Sequence, residues 1–372
     1  MGRQPAGHRS RIGLRRARPP PRQRLLDHPP VLLPGGERLN VRPACWPQGA
    51  LRRADKPCVD PIPFVDPGPP AGTAPSPPDA ALETWREALQ THAAWVDGLT
   101  TGRRCELEGL RVEHLRAARA RLQGASFLRC SLPAADLHAA VLDNSIWRQC
   151  DLALANLAAA EANGASLEEV RLDDSCLGST SLCGAVLERC SCEKLKAPGS
   201  RWMEARLVRT AFAQALLPGA AFHQASLLEC HFTEADLHGA LFYRARLQFC
   251  RFLRTRAEAA RFQNAVLEHC RFLQCRLDGA RFQGATLMGS AWEQCSLEGC
   301  DFQDARLAGV RFAGSRLQGA RFRGARCAGA DFRGADLRGA RELTLHQLLQ
   351  ARTDSTTLLP WGASGPAMRG AR

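Results

Sequence analysis

Ala225-Ser226-Leu227-Leu228-Glu229-Cys230-His231-Phe232-Thr233-Glu234-Ala235-Asp236-Leu237-His238-Gly239 repeats its pattern every five residues. A large apolar side chain stands at each number ending in 2 or 7, and a small one at each number ending in 0 or 5. The beat keeps its phase far beyond this stretch. From Leu122 to Leu337 there are 44 large positions, of which 39 hold Leu, Phe or Trp. From Ala125 to Ala335 there are 43 small positions, of which 40 hold Ala, Cys, Ser or Thr. Neither a helix period of about 3.6 nor a strand period of 2 produces this. A fixed internal period is the signature of a repeat architecture, and it decides the fold before any local propensity does.

A period of five means that each unit turns the chain by the same angle and sends one large and one small side chain inward. Gly often precedes the small position, as at Gly124, Gly164, Gly239, Gly279, Gly319 and Gly334. That suits a tight corner in every unit. Longer periods sit on top of five. Phe and Leu alternate at Phe222, Leu227, Phe232, Leu237, Phe242 and Leu247, which gives ten. Cys130, Cys150, Cys190, Cys230, Cys250 and Cys270 are spaced by multiples of twenty. Four units per coil and a square cross-section follow.

Ala135-Asp136-Leu137-His138-Ala139, Ala235-Asp236-Leu237-His238-Gly239, Ala330-Asp331-Phe332-Arg333-Gly334 and Ala335-Asp336-Leu337-Arg338-Gly339 resemble the unit of the pentapeptide repeat family. The resemblance covers about 105–340. It implies an all-β solenoid, a right-handed quadrilateral β-helix. At the spacing of a sheet, about 4.8 Å per coil, about eleven coils make a rod of roughly 50 Å. No coil buries its own faces, so stacking alone closes the core. One stretch departs from the rule. Leu195 occupies a small position and Ala197 a large one, beside Pro198 and Gly199, and a bulged corner is expected near 193–201.

The flanks read differently, and the chain divides into 1–78, 79–98, 99–340 and 341–372. Residues 1–78 hold most of the prolines and an excess of Lys and Arg, without periodicity. They read as a disordered basic tail, a truncated-domain remnant or a misplaced start. Residues 79–98 read as a capping helix, with Asp79 as N-cap, Gly98 as stop and a stripe of Leu82, Trp85, Leu89, Ala93 and Val96. A second cap is expected at about 345–352. Thr344 and Gln347 form a capping box there, and Leu345, Leu348 and Leu349 turn inward. The stretch from Leu358 to Trp361 is expected to lie over the last coil. Caps matter because an open coil end is an exposed sheet edge.

Chemistry is scarce in this sequence. No apolar run is long enough to cross a membrane. No secretory signal is expected, since Pro19, Pro20 and Pro21 follow the Arg15-Arg16 pair. Sixteen Cys then point to a reducing, cytoplasmic setting, with a secreted effector lacking a signal as the alternative. The Cys ladder shares its positions with Val170, Thr210 and Ser290, which suits a volume constraint better than ligation. Cys190 and Cys192 form only a Cys-x-Cys, so no metal is expected. The histidines are scattered, no catalytic constellation emerges, and neither a cofactor nor enzyme activity is expected.

Charge is more informative. Residues 122–240 hold nine Lys and Arg against fourteen Asp and Glu, and residues 241–326 hold fifteen against seven. The position before each large residue is Asp or Asn in the family pattern, but Arg recurs there in the later coils. Arg251, Arg271, Arg311, Arg261, Arg281 and Arg321 are the candidate interaction face. The leading reading is a non-catalytic scaffold, a rigid rod that docks a protein partner of acidic character. The family resemblance and a composition rich in Ala, Arg, Pro and Gly suit a bacterial, secretion-associated adaptor or effector. Two alternatives stand beside it. The resemblance also implies a DNA gyrase-binding topoisomerase protection protein, although this surface is not strongly acidic. The arginines themselves could bind nucleic acid through charge, with steep salt dependence.

Overall fold

The computed structural model describes residues 78–365. Of the tail read at 1–78, residues 1–77 lie outside them, as do residues 366–372. Helix α1 (Pro78–Val96) opens the described chain. A stack of coils follows from Cys105 to Arg341, and helix α2 (Leu345–Gln350) covers its far end. No helix among the described residues is long and apolar enough to cross a membrane.

The coils stack in a register of twenty residues. Thirteen three-residue strands form two parallel sheets among the described residues. A nine-stranded sheet runs from Glu106–Glu108 through Ser126–Leu128 and Ile146–Arg148 to Val266–Glu268. Isolated bridges extend its ladder to Thr286, Arg306 and Arg326. The second sheet pairs His231–Thr233, Arg251–Leu253, Arg271–Leu273 and Ala291–Glu293. The middle residue of every strand is buried, as the large position requires. The remaining sides are held by single bridges with the same offset, such as Asp236↔Arg256↔Arg276 and Leu241↔Arg261↔Arg281.

Each corner residue, at numbers ending in 4 or 9, takes a left-handed backbone. Gly fits without strain, yet thirty other residues also adopt positive φ, nearly all of them at such corners. An L-residue there costs about 1–2 kcal/mol, and the ladder holds it in place. In most units the small-position N–H closes the turn onto the large residue's carbonyl, as Ala125 does onto Leu122 at 3.0 Å. The expected bulge at 193–201 does not occur. Ser191↔Ala211, Lys196↔Leu216 and Arg201↔Ala221 keep the register. Leu195 is fully buried in its small position, between Cys192 and Ala197, which underfill the two large positions flanking it. Pro198 and Gly199 occupy the two central places of a type II turn, where Pro fixes the first φ and Gly supplies the positive one.

The alternation of Phe and Leu puts two aromatic columns on opposite inner walls. Phe212, Phe232, Phe252, Phe272, Trp292, Phe312 and Phe332 form one column. Trp202, Phe222, Phe242, Phe262, Phe282, Phe302 and Phe322 form the other. Phe252 lies 4.9 Å from Phe232 and 4.3 Å from Phe272, ring centroid to ring centroid.

The two ends are closed by polar groups as much as by apolar ones. On α1, Ala81, Trp85 and His92 are buried, and Leu82, Ala88 and Leu89 pack partly against the first coil. Asp79 falls inside the first turn rather than before it, so it is not the N-cap. Gly98 ends the helix at φ +73°. The edge N–H of Cys105 donates to His92 Nδ1 at 3.0 Å. At the other end the capping box of Thr344 and Gln347 forms as read. The inward Leu345 and Leu349 do not. They are 65% and 55% exposed, and only Leu348 turns in. The reason is that the last coil presents carbonyls. Gln347 Nε2 donates to Phe322 O and Ala325 O, both at 2.9 Å, and Thr357 Oγ1 donates to Phe332 O.

Two outcomes follow. Phe252→Ala removes the middle of a stacked column and should destabilise the rod by about 3–5 kcal/mol, read as a lower melting temperature. An unchanged melting curve contradicts the register. Burial and the nearby Arg104 charge hold His92 below its ordinary value of 6.5, and its Nδ1 must stay unprotonated to accept from Cys105. The unfolded chain takes up this proton first. The cap's contribution is therefore complete above the usual histidine range and falls as pH drops through it. Amide protection at residues 80–105, taken relative to the unfolded chain at the same pH, should fall between roughly pH 7 and 5, and His92→Gln should flatten that dependence.

Candidate interaction surface

The cysteines are structural. Cys130, Cys150, Cys190, Cys230, Cys250, Cys270, Cys275 and Cys295 each stand two residues after a strand. In those units the turn-closing N–H bond is missing. The thiol donates instead to the large residue's carbonyl one coil earlier, as Cys230 does to Leu207 O at 3.5 Å and Cys275 to Phe252 O at 3.3 Å. Thr255 does the same to Phe232 O. Volume explains the small position, and the free carbonyl gives a Cys or Thr there a partner, while Val170 and Ala235 fill the same place without a donor. Burial pushes the Cys190 thiol up to about 12 and raises Cys230 and Cys250 well above the ordinary value. Such thiols stay protonated and unreactive. No group of His, Cys, Asp and Glu among the described residues could hold a metal ion.

The six arginines read as one face lie on two opposite faces. Arg251, Arg271 and Arg311 share one ladder through Ala291. Arg261, Arg281 and Arg321 share another, with Asp301 between the last two and Arg341 beyond. The two ladders start half a coil apart, so in a four-sided coil they face away from each other. Slot spacing of five hides this, because it recurs on all four faces.

Ion pairs sort the arginines by face. On the Arg256 face, Arg256 pairs with Asp236 at 4.0 Å, Arg276 with Glu258 at 3.3 Å and Arg316 with Glu298 at 3.3 Å. On the Arg261 face, no carboxylate among the described residues lies within pairing distance of Arg261, Arg281, Arg321 or Arg341. The same holds for Arg246, Arg306 and Arg326 on the Arg246 face, and for Arg251 and Arg311. Arg271 reaches Glu293 only at 3.9 Å. Unpartnered arginines one rung apart, about 4.8 Å, repel one another.

One corner carries an exposed apolar group that sequence reasoning missed. Phe249 sits between the Arg246 and Arg251 faces, 53% exposed, at φ +54°. His269 stacks on it one rung away, with ring centroids 5.3 Å apart and planes 10° apart. Met288, on the following rung, is also 53% exposed. The acidic residues on this corner are engaged: Glu268 accepts from Gln248 Nε2 at 2.8 Å, and Glu229, one rung before Phe249, pairs with Arg209 at 2.8 Å. The signal was available. Phe249 and Leu154 are the two large apolar residues in corner positions of the rod. Only Phe249 has apolar and cationic company.

Family models agree with this architecture. The family model for pentapeptide repeats matches residues 150–189 and 300–339, and that for the pentapeptide repeat region matches 205–282. No curated protein matches the chain by sequence. Among solved structures, HetL is a pentapeptide repeat protein involved in heterocyst differentiation regulation in the cyanobacterium Nostoc. It is 18% identical over 73% of this chain and 97% of its own, with a TM-score of 0.26. Full-length QnrB1, a plasmid-mediated fluoroquinolone resistance protein, is 17% identical over 42% of this chain and 90% of its own, at 0.22. A pentapeptide repeat protein from the Arabidopsis thaliana thylakoid lumen is 25% identical over 29% and 69%, at 0.18. With an unbroken five-residue register and the two family models falling within it, the chain belongs to the pentapeptide repeat family, and its rod is a right-handed quadrilateral β-helix.

Proposed function

We propose that this chain is a non-catalytic docking scaffold whose C-terminal coils bind an acidic protein partner. The observation that carries the reading is Phe249. An aromatic residue in the left-handed region costs about 1–2 kcal/mol relative to Gly, and half of its surface faces water. Folding gains little from it beyond the stack on His269. Binding would gain much more. Exposed aromatic, Met and Arg side chains are the residue types enriched where partners bury a central anchor. Phe249, His269 and Met288 supply the apolar centre. Arg246 and Arg306 on one side, with Arg251, Arg271 and Arg311 on the other, supply a cationic rim that steers an acidic surface toward it.

The gyrase-binding alternative needs an acidic surface, and these coils have the opposite sign. Charge-driven nucleic-acid binding uses the same arginines but has no role for the apolar corner between them. A cytoplasmic place and a bacterial, secretion-associated setting fit the docking reading and belong to the same proposal.

The test uses two variants of the full chain as bait in lysate of the source cells at roughly 150 mM salt. Phe249→Gly should release the partner while the melting temperature holds or rises, because Gly suits the corner. The Arg251→Glu, Arg271→Glu, Arg311→Glu triple variant should release it as well. Unchanged capture of every protein by both variants contradicts the reading. A fall in melting temperature with Phe249→Gly, without loss of the partner, assigns Phe249 to stability instead.

A further inference from the structure

The corner diagonally opposite Phe249 is built in another way. Between the Arg256 and Arg261 faces, Gly279, Gly299 and Gly319 floor an open cavity of about 510 Å³, walled by Arg281, Arg321 and Arg341. The backbone does not demand glycine here. Gln274, Asn264 and His269 adopt nearly the same φ, +54° to +57°, on other corners. Open space stands where a Cβ on Gly279 or Gly299 would be. The missing side chains therefore leave a trough rather than relieve a clash.

The guanidinium groups along it are available. Asp301 lies one rung from both Arg281 and Arg321, yet it pairs with neither. Gln283 Nε2 takes one carboxylate oxygen at 2.9 Å, and the backbone N–H of Gln303 takes the other at 3.0 Å. The acidic residues on the far rim are also engaged. Glu258 and Glu298 face Arg276 and Arg316, and Asp278 accepts from Ser296 and from the N–H of Glu298. The arginine wall is thus the part of this corner with unused charge.

The geometry points to a groove that holds an extended acidic segment of the protein partner, with its carboxylates on Arg261, Arg281, Arg321 and Arg341. This rests on the docking reading and adds a second contact to it. Two features favour an elongated occupant over a compact anion. The small-residue floor continues past the cavity through Ala259 and Gly239 on one side and Gly339 on the other. The arginine wall spans four rungs, about 19 Å, which is roughly the length of six residues of extended chain. Arginine suits carboxylates because its planar fork makes paired hydrogen bonds. No aromatic side chain lines the cavity, so it offers no stacking platform to the bases of a single strand.

The test measures binding of labelled hexaglutamate to the full chain by fluorescence anisotropy, with hexaglutamine and a thymidine hexanucleotide in parallel. The Arg281→Ala/Arg321→Ala variant should weaken hexaglutamate about tenfold. Arg251→Ala/Arg311→Ala removes the same charge from the opposite face and should change it by less than about threefold. Asp301→Asn should tighten binding, since it removes a repelling charge. Gly299→Asn keeps the charge, suits the left-handed backbone and should weaken binding by filling the trough. Equal losses in the two arginine pairs, no hexaglutamate binding by the unaltered chain, or tighter binding of the oligonucleotide would each overturn the proposal. If hexaglutamate fails while the partner is still captured through Phe249, the groove falls and the docking reading stands. Failure of both removes both.

Discussion

Everything in this molecule depends on hydrogen bonds between coils twenty residues apart. The N–H before each large position donates back to the previous coil, as Ser126 does to Cys105 O at 2.9 Å. The N–H of a large or corner residue donates forward, as Leu122 does to Val141 O and Gly124 to Asp143 O, both at 2.8 Å. No coil satisfies its own backbone, so none is stable without neighbours. This one constraint sets the exact stacking of side chains, the left-handed corners and the need for an acceptor and a donor at the two ends. His92 meets the free N–H of the first coil, and Gln347 meets the free carbonyls of the last.

The same constraint separates structure from function. Inward positions are committed to the Phe, Leu and Cys columns, whose spacing the ladder dictates. Outward positions stack in register but are otherwise free, so a charge there reports either a neighbour or a partner. On the Arg256 face the neighbours are present and the arginines are neutralised. On the Arg246 and Arg261 faces they are not. Repulsion between successive rungs is left for something outside the chain to relieve. Phe249 breaks the rule of the corners in the same sense, since it is a bulky apolar group where the backbone prefers Gly and the solvent prefers a polar residue.

The fold was legible because the period is a direct image of the coil. The large and small positions, the four units per turn and the Phe and Leu columns could all be read from residue numbers. The caps were half legible. Thr344 and Gln347 carry a local capping signal, but Leu345 and Leu349 were read inward from hydrophobicity alone, when the last coil needed donors. The bulge at 193–201 was misread because Leu195, Cys192 and Ala197 look irregular one by one and compensate only as a group. Division of the arginines among faces needed the period of twenty applied to the surface as well as to the core. Phe249 was hidden by the assumption that aromatic residues here point inward.

The central claim is that the C-terminal coils dock a partner through the Phe249 corner. Hydroxyl-radical footprinting reads it directly, because Phe, Met and His side chains are oxidised in proportion to their exposure. In the captured complex, Phe249, His269 and Met288 should be protected, while Met203 and Leu154, exposed elsewhere on the rod, should stay reactive. Protection confined to Leu345, Leu349 and Trp361 at the end of the rod, with Phe249 still reactive, would contradict the account.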